Sequence, residues 1–427
     1  MMRALCGVIA FLMTLEVTAS PVTIVRRGSQ LEEVVDKVLL TTETHLLVRS
    51  PEARDEEFER LYWINLEDAK FDGLTLASLG ELVEWVPDAF ALLRLADDDV
   101  QKAAEVLHDE RWACGQLIRL KGDEVPLRAV NKVAVPIIPL EVTIDQLTSL
   151  QNAVNPLAIR STVEELVALG TRQARSNQAN RVTDYMLKQF RKYAGDRKDV
   201  TFQTVEHQGY PQASYIVRIE GRRFPNEILV LGSHIDSINR SGKNPESAPG
   251  ADDNASGTAS HLELFRVAME QNLVFDRSVE IHGYAAEELG LIGSQDIAQR
   301  YVSAGKNVIA MLQNDMNLYR SVPEDMIWLV TNDVDPTLLR DTERLIQNYQ
   351  TVAYDKNRLT AGTSDHRSWN RQGIPAIFPT ENPTNYNRNI HTPQDVISST
   401  SSFTQAAEFV KLSFSFLGHF AGISASE

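Results

Sequence analysis

Two histidines and six acidic residues in the second half of this chain have the types and spacing of a metal centre. His234 and Asp236 form a His-x-Asp pair at the end of an apolar run. Asp252 and Asp253 are adjacent, in a loop rich in Gly, Ser, Asn and Pro. Glu287 and Glu288 are adjacent in Ala285-Ala-Glu-Glu-Leu-Gly290, Asp315 stands in Gln313-Asn-Asp-Met316, and His391 in Asn389-Ile-His-Thr-Pro393. A donor set of imidazole and carboxylate without thiolate suits zinc or a related divalent ion. The carboxylates outnumber the needs of one tetrahedral ion, which favours two ions sharing a bridging carboxylate. Neighbouring glutamates also make sense there. One carboxylate can touch metal while the other stands beside it as a base.

Taken singly, each residue has a plainer reading. A lone Asp after a strand is a cap, a Glu-Glu pair is solvated surface, and a lone His fills a core. Position along the chain ties them together. Residues 228–231 are four branched apolar residues, the pattern of a strand buried on both faces. Further strands are expected at 201–205, 215–220, 279–284, 308–312, 326–330 and 375–378. Helices are expected at 179–193, 255–269, 294–301, 336–349, 364–370 and 403–420, the last with an apolar stripe that packs in the core. Such alternation predicts a three-layer α/β fold, with a largely parallel mixed sheet covered by helices on both faces. Ligands gather at the carboxyl ends of strands in such sheets, and the acidic and histidine residues follow those ends.

The chain is long enough, at 427 residues, for more than one domain. Residues 1–19 read as a signal peptide: Met1-Met2-Arg3, an apolar run to Leu15, then Val17-Thr18-Ala19. The protein is therefore expected to be secreted or periplasmic, with no membrane anchor. Cleavage would leave Cys114 as the single cysteine, so no internal disulfide is expected. Residues 20–135 form a small α/β domain without catalytic chemistry. Helices are expected there at 31–40, 81–95 and 97–107, and strands at 45–49, 62–65 and 116–120. His45 and His108 lack acidic neighbours at ligand spacing. Prolines at 126, 136 and 139 mark an extended connector, and residues 140–427 form the catalytic domain. Net charge is −16, from 42 basic against 58 acidic residues, which argues against nucleic acid as a partner. Acidity tolerates a substrate carrying an ammonium group.

The motifs Gly232-Ser-His-Ile-Asp-Ser237, Gly250-Ala-Asp-Asp-Asn-Ala-Ser-Gly257, Ala286-Glu-Glu-Leu-Gly290, Gln313-Asn-Asp-Met316, Thr363-Ser-Asp-His-Arg-Ser-Trp369 and Ile390-His-Thr-Pro-Gln-Asp395 resemble those of the co-catalytic zinc exopeptidases. The likeness covers roughly residues 145 to 425 and is greatest to the secreted bacterial leucyl aminopeptidases. It implies a two-zinc aminopeptidase, a monomer acting on peptides with a free N-terminus. His234 and Asp315 would hold one zinc, Glu288 and His391 the other, and Asp252 would bridge them. Asp236 would orient His234, Glu287 would be the general base, and Asp253 would set the backbone beside a cis Asp252–Asp253 peptide. Asp365 and His366 would form active-site wall or touch substrate. Relatives carry a disulfide where Leu359 and Thr363 stand here, which bears on the side-chain pocket. The position of the N-terminal zone matches that of a prosegment, and a permanent accessory domain is the alternative. Within the superfamily a carboxypeptidase or a glutaminyl cyclase is the rival, the cyclases holding one zinc. An inactive binding module would lack a ligand or the base. His207, His261, His282 and His419 match no ligand motif.

Overall fold

The computed structural model describes residues 21–26, 37–41, 45–51, 53–66, 73–87, 90–96, 99–107, 117–120, 125–126, 144–240, 247–359 and 362–425. Residues 1–19, read as a signal peptide, lie outside them, as do His108, Cys114 and most of the expected connector. No helix among the described residues is long and apolar enough to cross a membrane.

The centre of the molecule is a six-stranded sheet. Its strands are β1 (Val200–His207), β2 (Tyr210–Ile219), β3 (Phe224–His234), β4 (Arg277–Tyr284), β5 (Asn307–Gln313) and β6 (Ala376–Ile377), in spatial order β1-β2-β4-β3-β5-β6. The pairs β3–β4, β3–β5 and β5–β6 are parallel, and β1–β2 and β2–β4 are antiparallel. The branched run of β3 alternates between two cores, as a strand must. Leu229 and Leu231 pack with Phe190, Phe265 and Phe409, whereas Ile228 and Val230 pack with Tyr301 and Trp369. Those aromatic residues lie on α1 (Arg181–Ala194), α2 (Gly257–Glu270) and α6 (Phe403–Ala421) on one face, and on α3 (Ile292–Ser303) and α5 (His366–Arg371) on the other. The three-layer expectation holds. The strand Met326–Val330 differs: it leaves the main sheet and pairs with Ala353–Asn357 and Pro379–Thr380.

Register explains why the acidic residues meet. His234 lies opposite Tyr284, and Gly232 lies opposite Gln313. Three neighbouring parallel strands thus finish level, and the loops that follow them open on one edge.

The N-terminal domain is α/β as expected, but two elements change type. Residues 81–95, read as a helix, form the hairpin Glu81–Val86 and Phe90–Arg94. Pro87 interrupts the segment, and the residue before a proline is driven towards extended backbone. Strands at Lys37–Val38 and Leu40–Thr41 likewise replace the end of the helix expected at 31–40. Leu61–Asn65 and Leu117–Leu120 complete an antiparallel sheet with the hairpin, and Asp99–Leu107 is helical.

Candidate metal centre

His234, the last residue of β3, is fully buried, and its Nε2 lies 3.0 Å from Asp253 Oδ1 and 3.4 Å from Asp315 Oδ1. His391 Nε2 lies 2.9 Å from the other oxygen of Asp253 and 3.2 Å from Glu288 Oε2. One carboxylate therefore stands between two imidazoles, with a second carboxylate on each side. Donor atoms of His234, Asp253 and Glu288 fall within 4.8 Å of one another.

The residue in the middle is Asp253, which corrects the expectation for Asp252. The Asp252 carboxylate points elsewhere: Oδ1 accepts from the Leu318 amide at 3.0 Å and Oδ2 from Asn387 Nδ2 at 3.1 Å. Burial pushes the Asp252 carboxyl up to about 6, and it shares a hydrogen bond with the buried Glu381 carboxyl. Burial and the charge of Asp252 hold the Glu381 carboxyl well above the ordinary range. The cis peptide is Asp253–Asn254, one bond later than expected. These residues lie in a widened turn, Ala251–Ser256, that enters α2, where Asp253 and Asn254 have non-helical dihedrals.

Two carboxylates hold the ligand loops by the same device. Asp236 receives the amides of Glu287 and Glu288 at 3.0 and 3.1 Å. Its Oδ1 also lies 3.4 Å from His234 Nδ1, which fits the orienting role expected of it. Asp395 receives the amides of Asp252 and Asp253, both at 3.1 Å. Asp395 closes the Ile390-His-Thr-Pro-Gln-Asp motif, yet its task was not evident from spacing. Nor was that of Arg172, which is 2% exposed. Its guanidinium donates to the carbonyls of Ile235, Pro249 and Gly250 at 3.0, 2.5 and 2.8 Å. Arg172 thereby ties the loop of His234 to the loop of Asp253. Burial lowers its pKa to about 10, while Asp395 and Asp236 oppose the shift.

We predict that Arg172→Met weakens zinc binding by about 10- to 100-fold, the range for partners that orient ligands. Arg172→Lys should recover only part, because an ammonium cannot span three carbonyls in a plane. Zinc titration against a competing chelator measures this, and unchanged affinity in Arg172→Met would refute it.

Glu287 is fully buried, and neither of its carboxylate oxygens has a hydrogen-bond partner in the protein. Burial drives its pKa well up, His234 opposes this, and Asp365, Glu288 and Asp315 add to it. Left-handed backbone recurs around the cluster at Ala286 (φ 54°), Met316 (φ 56°) and His391 (φ 58°). Each such non-glycine residue costs about 1–2 kcal/mol, a cost typical of functional sites.

The expected wall residues separate in space. Asp365 accepts from Gln313 Nε2 at 3.0 Å, and burial pushes it up to about 7. Its neighbour Ser364 donates to Asp315 Oδ2 at 2.6 Å. His366 packs its ring on Phe378, with centroids 4.9 Å apart, and burial lowers it to about 3. Neither Asp365 nor His366 lines the pocket that opens beside Asp315. Met316, Leu359, Thr363, Phe378, Pro383 and Tyr386 line it. Leu359 and Thr363 thus both line this pocket. His207, His261 and His282 are held by structural partners: Asp296 and Ser214, Asn314, and Glu280 with Tyr284.

The donor set fits divalent metal. Asp253, Glu287, Glu288 and Asp315 are buried together, with two imidazoles and the Arg172 guanidinium nearby. Buried charge on that scale is stable only when paired or bound to metal.

Residues 214–414 match peptidase family M28. Leucine aminopeptidase 1 of Fusarium vanettenii is 31% identical over 330 residues, covering 73% of this chain and 82% of that protein. The chain belongs to peptidase family M28. Membership makes it a metallopeptidase, a hydrolase. A second relative, the probable aminopeptidase YDR415C of Saccharomyces cerevisiae, is 37% identical over 219 residues. That match spans 50% of this chain and 58% of the yeast protein. The crystal structure of Legionella pneumophila LapA aminopeptidase shares the fold, with a TM-score of 0.69 at 23% identity. It covers 84% of this chain and 97% of that one.

Proposed function

We propose that this M28 enzyme is a secreted aminopeptidase that removes single N-terminal residues from peptides, using two zinc ions and Glu287 as general base. The observation that carries the reading is the Asp253 carboxylate, whose two oxygens face His234 and His391 at 3.0 and 2.9 Å. His234, Asp253 and Asp315 would hold one ion, and His391, Asp253 and Glu288 the other. When bound, the zinc pair supplies Lewis acidity, which acidifies water and polarises a carbonyl.

The chain's own residues supply the rest. Asp236 fixes the Glu287 and Glu288 amides, so the two carboxylates keep separate places. Glu287 has no hydrogen bond to break before it takes a proton. It accepts the proton of the attacking water and delivers it to the leaving amine. The pocket beside Asp315 offers mainly apolar walls, from Met316, Leu359, Phe378 and Tyr386. A free amino group would find compensating carboxylates at the same edge. Export by residues 1–19 belongs to the same reading.

The test uses aminoacyl-p-nitroanilides with N-blocked controls, with and without a chelator, and counts bound metal. Leucyl-p-nitroanilide should be cleaved, blocked substrates spared, and activity lost on metal removal and restored by zinc. Two zinc ions per chain are expected. Cleavage of blocked substrates, or a single zinc with cyclisation of N-terminal glutamine, would overturn the proposal.

A further inference from the structure

The turn that carries Glu287 and Glu288 is built from two domains. It leaves β4 at Tyr284 and enters α3 at Ile292, and three of its residues are left-handed: Ala286 (φ 54°), Gly290 (φ 109°) and Leu291 (φ 59°). Its first half is tied to the catalytic domain by hydrogen bonds. Ser214 Oγ accepts from the Ala285 amide at 2.9 Å, Gln212 Oε1 from the Ala286 amide at 3.2 Å, and Asp236 from the next two.

Its second half is seated in the N-terminal domain. Leu289, 1% exposed, shares an apolar core with Tyr62, Ile64 and Leu117. Leu291, fully buried, belongs to a second core with Leu61, Trp63 and Ile118. Between them, a Cβ on Gly290 would lie 2.3 Å from the carbonyl oxygen of Leu117. Nearby, Gln295 Nε2 donates to the Arg119 carbonyl at 2.7 Å. Trp63 also lies under the guanidinium groups of Arg367 and Arg371 at 5.0 and 5.5 Å. Both arginines are on α5, directly after Asp365. Among the described residues, none of the N-terminal domain lines the pocket beside Asp315. The contact is therefore to the back of the turn.

We propose that the N-terminal domain is a positioning element of the working enzyme. Its strands Leu61–Asn65 and Leu117–Leu120 clamp Leu289 to Leu291 and so hold Glu287 and Glu288 in place. A turn with left-handed Ala286 and Leu291 needs such support, because the backbone preference of these two residues opposes it. Loosening the clamp lets the base drift, and small displacements of a catalytic group are costly. The proposal rests on the reading of Glu287 as base. It differs in sign from a removable cover, whose loosening would raise activity.

The test uses the full chain with Leu291→Ala on the turn, Ile118→Ala on the N-terminal sheet, and both together. Each alanine should lower kcat on leucyl-p-nitroanilide by about 10- to 100-fold with KM nearly unchanged. The double variant should lose less than the product, since the two residues share one contact. Amide exchange at Glu287 and Glu288 should speed up, while that at Leu264 in α2 stays slow. Where an alanine variant fails to fold, Leu291→Met and Ile118→Val carry the test through a graded loss. Folded variants with wild-type or higher kcat overturn the proposal. So does a full chain that gains activity when its N-terminal domain is trimmed, an outcome that leaves the aminopeptidase reading standing. If neither form cleaves any aminoacyl substrate, the aminopeptidase reading fails, and amide exchange at Glu287 still decides whether the clamp exists.

Discussion

Glu287→Gln should lower kcat by about 10²- to 10⁴-fold, the range for loss of a general base, while metal content stays at the wild-type value. Glutamine keeps the shape of the side chain and loses its basicity. The structure makes the separation clean. Glu287 is buried and its oxygens accept no hydrogen bond within the protein, so the side chain supports no neighbour. Its position is set through the backbone, by the Asp236 carboxylate on its amide. Glu288, one residue on, faces His391 at 3.2 Å and belongs to the donor cluster. Steady-state kinetics with elemental analysis of the purified protein provides the check. A Glu287→Gln enzyme with full metal and near-normal turnover would remove Glu287 from the mechanism.

Asp253→Asn and Asp252→Asn should behave oppositely. Asp253→Asn removes charge from the carboxylate whose two oxygens face His234 and His391. Zinc affinity should fall by more than the roughly 100-fold seen when only outer partners are lost, and activity should go with it. Asp252→Asn changes a side chain committed to Leu318, Asn387 and Glu381. It should keep the wild-type metal content and lose stability by about 1–3 kcal/mol, the cost of a disturbed buried hydrogen bond. Zinc titration and thermal melting on both variants decide the matter. Metal loss in Asp252→Asn with retention in Asp253→Asn would reverse the assignment.

These predictions differ in how far the sequence alone could have made them. The choice of Glu287 follows from a Glu-Glu pair after a strand and from resemblance. The choice between Asp252 and Asp253 does not follow from spacing. Successive side chains on an irregular turn leave in different directions, and the direction depends on the path from Gly250 to Gly257. That path is imposed by distant residues: Asp395 on the two amides, Arg172 on the carbonyls of Pro249 and Gly250. No local pattern carries such information.

A similar division runs through the fold. Apolar periodicity locates β3, β4, β5 and the helices between them, because burial on both faces demands long branched runs. Hence the sequence by itself determined that His234, Glu287 with Glu288, and Asp315 would emerge from one edge of an α/β sheet. Residues 81–95 misled, because apolar residues near Pro87 satisfy a helical spacing while the proline favours a hairpin. The tertiary structure alone decided which aspartate stands between the histidines. It also decided that Leu359 and Thr363 face the pocket beside Asp315, and that the turn bearing Glu287 rests on the N-terminal sheet. In each case the deciding contacts join residues far apart in the chain, and their energies depend on packing that no short stretch of sequence encodes.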